Sequence, residues 1–290
     1  MHLAKYKMML RTDCAEIYKT NDYHRKRLKI LENEKYIRRV NRFYIKLDDK
    51  GTKLVKDFGY NYSFLCRKPS YIDRITEIAK ISRLAINSDI EFIASWDMKD
   101  NAFFTQTSRK YIGKLIYPKK EFIVYYISKK RQFSYIGQII NDISKLSTNK
   151  NIIIFVEDMK LLTQKQRFVF GNKSTLLITP TIKNIDLLKK VEQLDFYTML
   201  QNYLQKDILL SNWKKADYMT DNKEYILIMP FIDTEKLQKV NVFYKNNPNI
   251  SRKIYIATLK ENIEKIKEIL VRNTNIIEVD NWLGGIDEEI

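Results

Sequence analysis

The stretch DYHRKRLKILENEKYIRRVNRFYIKLDDKGTKLV, residues 22–55, decides how this chain is read. Its first part has helical spacing: His24, Leu28 and Leu31 fall on one side of a wheel, and Tyr36 closes the buried end. Tyr23, Lys26, Ile30 and Asn33 point the other way, with Arg25, Arg27 and Lys29 on the flanks. Asn21 or Asp22 supplies an N-cap, since a short polar side chain can accept from the first unpaired N–H groups. IRRVNRFYIKL (37–47) then predicts two short strands around a turn at Val40–Asn41–Arg42, and DDKGTKLVKDF (48–58) a helix capped by Asp48.

Toward the N-terminus, HLAKYKMM (2–9) suits a short helix. DCAEIYK (13–19), capped by Thr12, suits a second, with Ala15, Ile17 and Tyr18 as its apolar contacts; TND (20–22) is a turn. Helix, helix, turn, basic helix, basic hairpin and closing helix is the winged helix-turn-helix order. The text RLKILENEKYI…FYIKLDDKGTKLV resembles that family, in which a helix ends in Leu-x-x-Leu, a Tyr-Ile or Leu-Ile pair opens the wing, and a Leu-Thr-x-x-Gly-type segment begins the last helix. Asp48 departs from the Thr common there.

A helix has the right width for the major groove of DNA, and its exposed side chains can reach base edges. That assigns Tyr23, Lys26 and Lys29 to base edges, with Arg25 or Arg27 on bases or neighbouring phosphates. The hairpin cations Arg38, Arg39 and Arg42 are expected on phosphate or in the minor groove. His24 belongs to the core edge. Ile30, apolar among cations, suits a thymine methyl or a homodimer contact.

Charge follows the same gradient. The 290 residues carry 52 Lys+Arg and 35 Asp+Glu, a formal charge of +17. Residues 1–70 hold 18 basic and 8 acidic side chains (+10), residues 71–205 hold 21 and 13 (+8), and residues 206–290 hold 13 and 14 (−1). An N-terminal excess of this size suits a polyanionic partner, here double-stranded DNA. The longest apolar runs, FIVYYI (122–127) and IIIFV (152–156), are far shorter than the roughly 20 residues of a membrane span, and residues 1–13 lack a signal-peptide pattern. The expectation is a cytoplasmic protein away from membranes. Two cysteines (Cys14, Cys66) and two histidines (His2, His24) argue against a disulfide framework, a zinc finger and a Cys–His protease, and no metal or other cofactor is expected.

Beyond residue 70 the pattern becomes α/β (α+β). YIDRITEIAKISRLAINS is a helix burying Ile72, Ile75, Ile78, Ala79 and Leu84. IEFIASW (90–96), IGKLIY (112–117) and EFIVYYIS (121–128) read as strands, FSYIGQIINDISKLS as a helix and NIIIFV (151–156) as a buried strand. The order αβββαβ resembles a restriction-endonuclease-like core, but Tyr117-Pro118 stands where that family shows Pro-Asp, and YYIS (125–128) where it shows a carboxylate-x-Lys. Glu121 and Glu91 do not fit the spacing, and Lys114 and Lys129 have no carboxylate pair beside them, so a metal-dependent nuclease is the least favoured reading and no catalytic residue is assigned. Further on, KSTLLITP (173–180) is a strand and IDLLKKVEQLDFYTMLQNYLQ largely helical. EYILIMP, TEKLQKVNVFYKN, KIYIAT, ENIEKIKEILV and NIIEVD then follow in βαβαβ order, expected to extend a mixed or parallel sheet. No glycine-rich phosphate loop occurs, and the tail GGIDEEI is acidic. Aromatics beside cations, as in RRVNRFY and KKRQFSY, would also suit stacking on unpaired bases, although most aromatics at these spacings are core.

The expected organisation is a DNA-binding domain over 1–68, a nuclease-like α/β domain without catalytic motif over 69–205, and a C-terminal α/β segment over 206–290. A winged helix followed by a degenerate nuclease-like domain resembles, over residues 1–160, the replication-relaxation proteins of plasmids, phages and integrative elements. The resemblance implies DNA binding at an origin of replication or transfer, with a relaxase or replication initiator as partner. The alternative is a winged-helix transcriptional regulator whose α/β part senses a ligand or dimerises.

Overall fold

The structure, a computed structural model, describes residues 2–18, 23–62, 69–98, 110–130, 133–146, 151–163, 175–191, 193–249, 252–270 and 274–283. The turn at 20–22 with its Asn21 or Asp22 cap, Cys66, Arg131 and the acidic tail lie outside the described residues. The class is mixed α/β, with three sheets among the described residues. Among the described residues no helix is long and apolar enough to cross a membrane.

The chain divides into two compact units: Met1–Lys99 with Ile112–Leu115, and Asp100–Tyr111 with Ile116–Ile290. The first opens with α1 (His2–Tyr6), β1 (Met9–Leu10), α2 (Cys14–Tyr18), α3 (Tyr23–Asn33), β2 (Ile37–Arg39), β3 (Tyr44–Leu47) and α4 (Asp49–Asp57). Helix α1 stops at Tyr6, short of the expected Met9. Lys7 turns the backbone at φ 66°, and Met9 and Leu10 pair antiparallel with Ile45 and Tyr44 as a strand. Strand β3 also pairs with β2, in the register Ile37↔Leu47, Arg38↔Lys46 and Arg39↔Ile45, so the sheet order is β1-β3-β2.

Successive residues of β3 face opposite sides of this sheet and enter different cores. Ile45 and Leu47 join Ala4, Met9, Cys14, Leu28 and Ile37 on one side; Tyr44 joins Met8, Ile75 and Ala79 on the other. Helix α3 contributes Leu28 and packs a half-buried Leu31, as its spacing predicts. It ends at Asn33 rather than at Tyr36, because Lys35 adopts φ 61° and the Tyr36 N–H donates back to the Leu31 carbonyl at 2.9 Å.

Two expected caps work differently. Thr12 turns its hydroxyl to the Asp13 carboxylate (3.3 Å), while its carbonyl accepts from Ala15 N–H at 3.0 Å. Asp48 occupies the N-cap of α4 with no side-chain cap bond; its N–H donates to the Tyr36 carbonyl (2.9 Å), and its carboxylate lies 3.6 Å from Arg38. That backbone approach explains Gly51, where a Cβ would fall onto the Tyr36 carbonyl.

Helix α5 (Pro69–Asn87) follows, then β4 (Glu91–Ala94) and β5 (Gly113–Ile116). The division of the chain therefore does not coincide with the expected boundaries at 68 and 205. Ile75 and Ala79 of α5 complete the core that contains Met8 and Tyr44, and Arg83 pairs with the buried Asp13 at 3.1 Å. Tyr6 donates to the Phe92 carbonyl (2.9 Å) and Trp96 to the Lys5 carbonyl (3.2 Å), tying β4 to α1.

The second unit contains β6 (Glu121–Ile127), α6 (Phe133–Ser144), β7 (Asn151–Val156), α7 (Lys160–Thr163), β8 (Thr175–Ile178), α8 (Ile182–Val191) and α9 (Phe196–Leu204). Strands β6, β7 and β8 run parallel, in the register Ile123↔Ile152 and Ile153↔Leu176. Phe122–Ile127 and Ile152–Val156 are buried throughout, which is why their sequence shows continuous apolar runs instead of alternation. The helical stretch after β8 is two helices: the Asp195 carboxylate accepts from Thr198 N–H (3.2 Å) and starts α9 anew.

Next come β9 (Ile208–Leu210), β10 (Tyr218–Thr220), β11 (Tyr225–Ile228), β12 (Ile232–Asp233), α10 (Thr234–Asn246), β13 (Ile254–Thr258), α11 (Ile263–Ile269) and β14 (Asn275–Glu278). The expected C-terminal extension is instead a five-stranded sheet of its own, order β14-β13-β11-β10-β9. Its β11, β13 and β14 are parallel as the βαβαβ pattern requires, but β10 pairs antiparallel with the remaining edge of β11, and β9 antiparallel with β10. The short β12 stays outside this sheet and pairs antiparallel with β8 instead.

Candidate nucleic-acid interface

A face rich in Lys and Arg is stable only if something apolar anchors it from behind. In α3 that anchor is Leu28, 4% exposed, with the buried His24 beside it. The helical period then forces the intervening residues outward. Tyr23 (56% exposed), Arg25, Lys26 and Lys29 all reach solvent, and Arg27 is half-buried on the flank. Ile30 (43% exposed) and Asn33 complete the outer side. The tyrosine, the four cations and Ile30 are thus brought together on one helix by its backbone geometry.

The β2–β3 hairpin adds Arg38, Arg39 and Arg42, all exposed. Their surroundings differ. The Arg39 Nε donates to both carboxylate oxygens of Glu32 on α3, at 2.8 and 3.1 Å, and that hydrogen bond raises the guanidinium pKa further above its ordinary value. Arg38 lies near Asp48. Arg42 rests its guanidinium over the Phe43 ring, 4.5 Å from the centroid. Of the three arginines expected on phosphate or in the minor groove, two therefore have a carboxylate of this chain at hand.

Sequence reasoning missed Glu32, which reaches from the last turn of α3 to β2, and Arg11, whose Nη1 donates to the Arg42 carbonyl at 3.3 Å. Neither position has a local signal: both depend on the pairing of β1 and β2 with β3. Phe43 had a signal, an aromatic beside cations directly after the predicted turn Val40–Asn41–Arg42.

Glu91 and Glu121 are exposed at the first positions of β4 and β6. The YYIS positions hold buried tyrosines: Tyr125 donates to Asp142 (3.1 Å) and Tyr126 to Glu157 (2.8 Å). Burial, then the Asp142 carboxylate, pushes the Tyr125 hydroxyl far above its usual range, so it serves as a neutral donor. Among the described residues no group of three or more His, Cys, Asp or Glu side chains is placed to hold a metal ion.

No protein-family model matches the chain, and no curated protein or solved structure matches it.

Proposed function

We propose that the chain is a sequence-specific double-stranded DNA-binding protein in which α3 enters the major groove and the β2–β3 hairpin lies along the adjoining backbone. The observation that carries this reading is the exposed face formed by Tyr23, Arg25, Lys26 and Lys29, beside Arg38, Arg39 and Arg42 of the hairpin. The element order α1-β1-α2-α3-β2-β3-α4 and the sheet order β1-β3-β2 support a winged helix-turn-helix for this part. Base edges are then read by Tyr23, Lys26 and Lys29, while the hairpin arginines grip phosphate. The resemblance of residues 1–160 to replication-relaxation proteins favours an origin of replication or transfer as the target, and a relaxase or initiator as the protein partner. The α/β remainder acts as scaffold for that partner, without catalysis of its own.

Selection from a random duplex pool with the full chain, followed by titration of the selected duplex, tests the reading. Lys26→Ala should relax preference at one or two base pairs, a loss of about 1–3 kcal/mol of discrimination. Arg42→Ala should weaken binding to every duplex alike. A chain that enriches no duplex, or a Lys26→Ala chain that keeps full preference, overturns the assignment.

A further inference from the structure

The duplex-binding reading leaves an exposed aromatic of the β2–β3 hairpin unused. Phe43, the residue just before β3, is 51% exposed, whereas its neighbours Tyr44 and Ile45 are buried. A ring in water keeps apolar surface that a partner could still bury. What surrounds it indicates the chemistry of that partner. Arg42 covers the ring at 4.5 Å, Arg11 donates to the Arg42 carbonyl, and Arg38 and Arg39 stand exposed on the neighbouring strand. A single aromatic ring among cations is poorly suited to an apolar protein surface and well suited to bases flanked by phosphates.

The backbone that carries the ring is also held. Asn41 Oδ1 accepts from both Phe43 N–H (2.9 Å) and Tyr44 N–H (3.0 Å). Val40 N–H donates to the Tyr44 carbonyl (2.9 Å), and the Phe43 carbonyl accepts from Arg11 N–H (2.8 Å). The turn Val40–Asn41–Arg42–Phe43 contains no glycine. The backbone part of the cost of presenting Phe43 is thus already met in the free protein, which favours a side chain that must enter a stack of bases.

Resting on the proposed function, we infer that Phe43 is a wedge: it inserts between two base pairs from the minor groove, while Arg42 leaves the ring for a flanking phosphate. Apolar wedges of this kind unstack one step and bend the duplex toward the major groove. Pyrimidine–purine steps unstack most easily, so the wedge confers preference for such a step without any hydrogen bond to a base.

The test uses the full chain, Phe43→Ala and Phe43→Leu, with the duplex selected by the unaltered chain. The duplex carries 2-aminopurine at successive steps of the flank and a fluorophore pair at its ends. The unaltered chain should raise 2-aminopurine emission several-fold at one step and shorten the end-to-end distance. Phe43→Ala should bind about tenfold more weakly and leave the duplex stacked and straight. Phe43→Leu should keep most of the kink, showing that the apolar volume matters and that the fold is intact. A straight duplex with the unaltered chain, or an undiminished kink with Phe43→Ala, overturns the wedge and leaves duplex binding standing. If Phe43→Ala weakens binding to single strands but not to duplex, the ring stacks on unpaired bases and the wedge is likewise wrong. Failure to enrich any duplex removes the proposed function itself.

Discussion

Glu32 sets how much of the hairpin's charge is available. Its carboxylate, only 18% exposed, accepts two hydrogen bonds from Arg39, whose side chain is 52% exposed. Exposed pairs of this kind contribute about 0–1 kcal/mol to stability, so losing one scarcely affects the fold. Its effect on a polyanion is larger, since the same carboxylate both occupies a guanidinium and repels phosphate. Glu32→Gln should therefore bind all duplexes more tightly, by roughly three- to tenfold at low salt, with a salt slope steeper by about one and unchanged sequence preference. Fluorescence anisotropy over a salt series checks this. If affinity is unchanged, Arg39 does not lie on the DNA backbone. His24, Leu28 and the outward Tyr23, Lys26, Ile30 and Asn33 follow from a period of 3.6 alone. The Glu32–Arg39 pair does not, because it depends on how β2 returns beside the last turn of α3.

At the scale of elements, β1 couples the three-stranded sheet to the helices around it, and Cys14 lies where they meet. The thiol is 3% exposed, with the Met9 sulfur and the Leu10 carbonyl each 3.9 Å away. Burial, and after it the Asp13 carboxylate, pushes its pKa from 9.0 up to about 11, against the opposing pull of Arg11. Between pH 9 and about 11 the folded chain thus holds a proton that the unfolded chain has released. The contribution is complete below pH 9 and is lost as pH rises through about 11. Urea midpoints measured across that range should fall with pH, and more steeply for the unaltered chain than for Cys14→Ala. Parallel curves would mean that the thiol is not buried as described. Strand β1 itself is not legible in HLAKYKMML, where two consecutive buried methionines imitate the end of a short helix. Only the partner strand β3 makes Met9–Leu10 a strand. The short β9, β10 and β12 escaped for the same reason, since each is defined by the strand beside it.

For the whole molecule the controlling quantity is charge distribution. A net +17, concentrated toward the N-terminus, predicts binding dominated by counterion release. With about six phosphates neutralised by the α3 and hairpin cations, log affinity against log salt should have a slope of about −5. Anisotropy measurements between low and physiological salt give this slope directly. A value near −1 would mean that the basic face does not lie along the DNA. The two compact units add a limit that the sequence pattern did not convey. Helix α5 has the composition of a domain's opening helix, yet Ile75 and Ala79 finish the core begun by Met8 and Tyr44, so the first unit runs on through β4 and takes in Ile112–Leu115.

By itself, the sequence determined the properties carried by period, cap and charge. These are a basic helix with one apolar side, an arginine hairpin, a run of parallel buried strands, and a positive excess at one end. Local spacing specifies them, because a helix repeats every 3.6 residues and a strand every two whatever lies nearby. Tertiary structure alone decided which strands pair, that the C-terminal strands close a sheet of their own, that α5 belongs with the first unit, and that Arg39 has a carboxylate partner while Phe43 is left in solvent. Those outcomes depend on backbone groups and side chains meeting from distant parts of the chain, and no local window of residues contains both halves of such a contact.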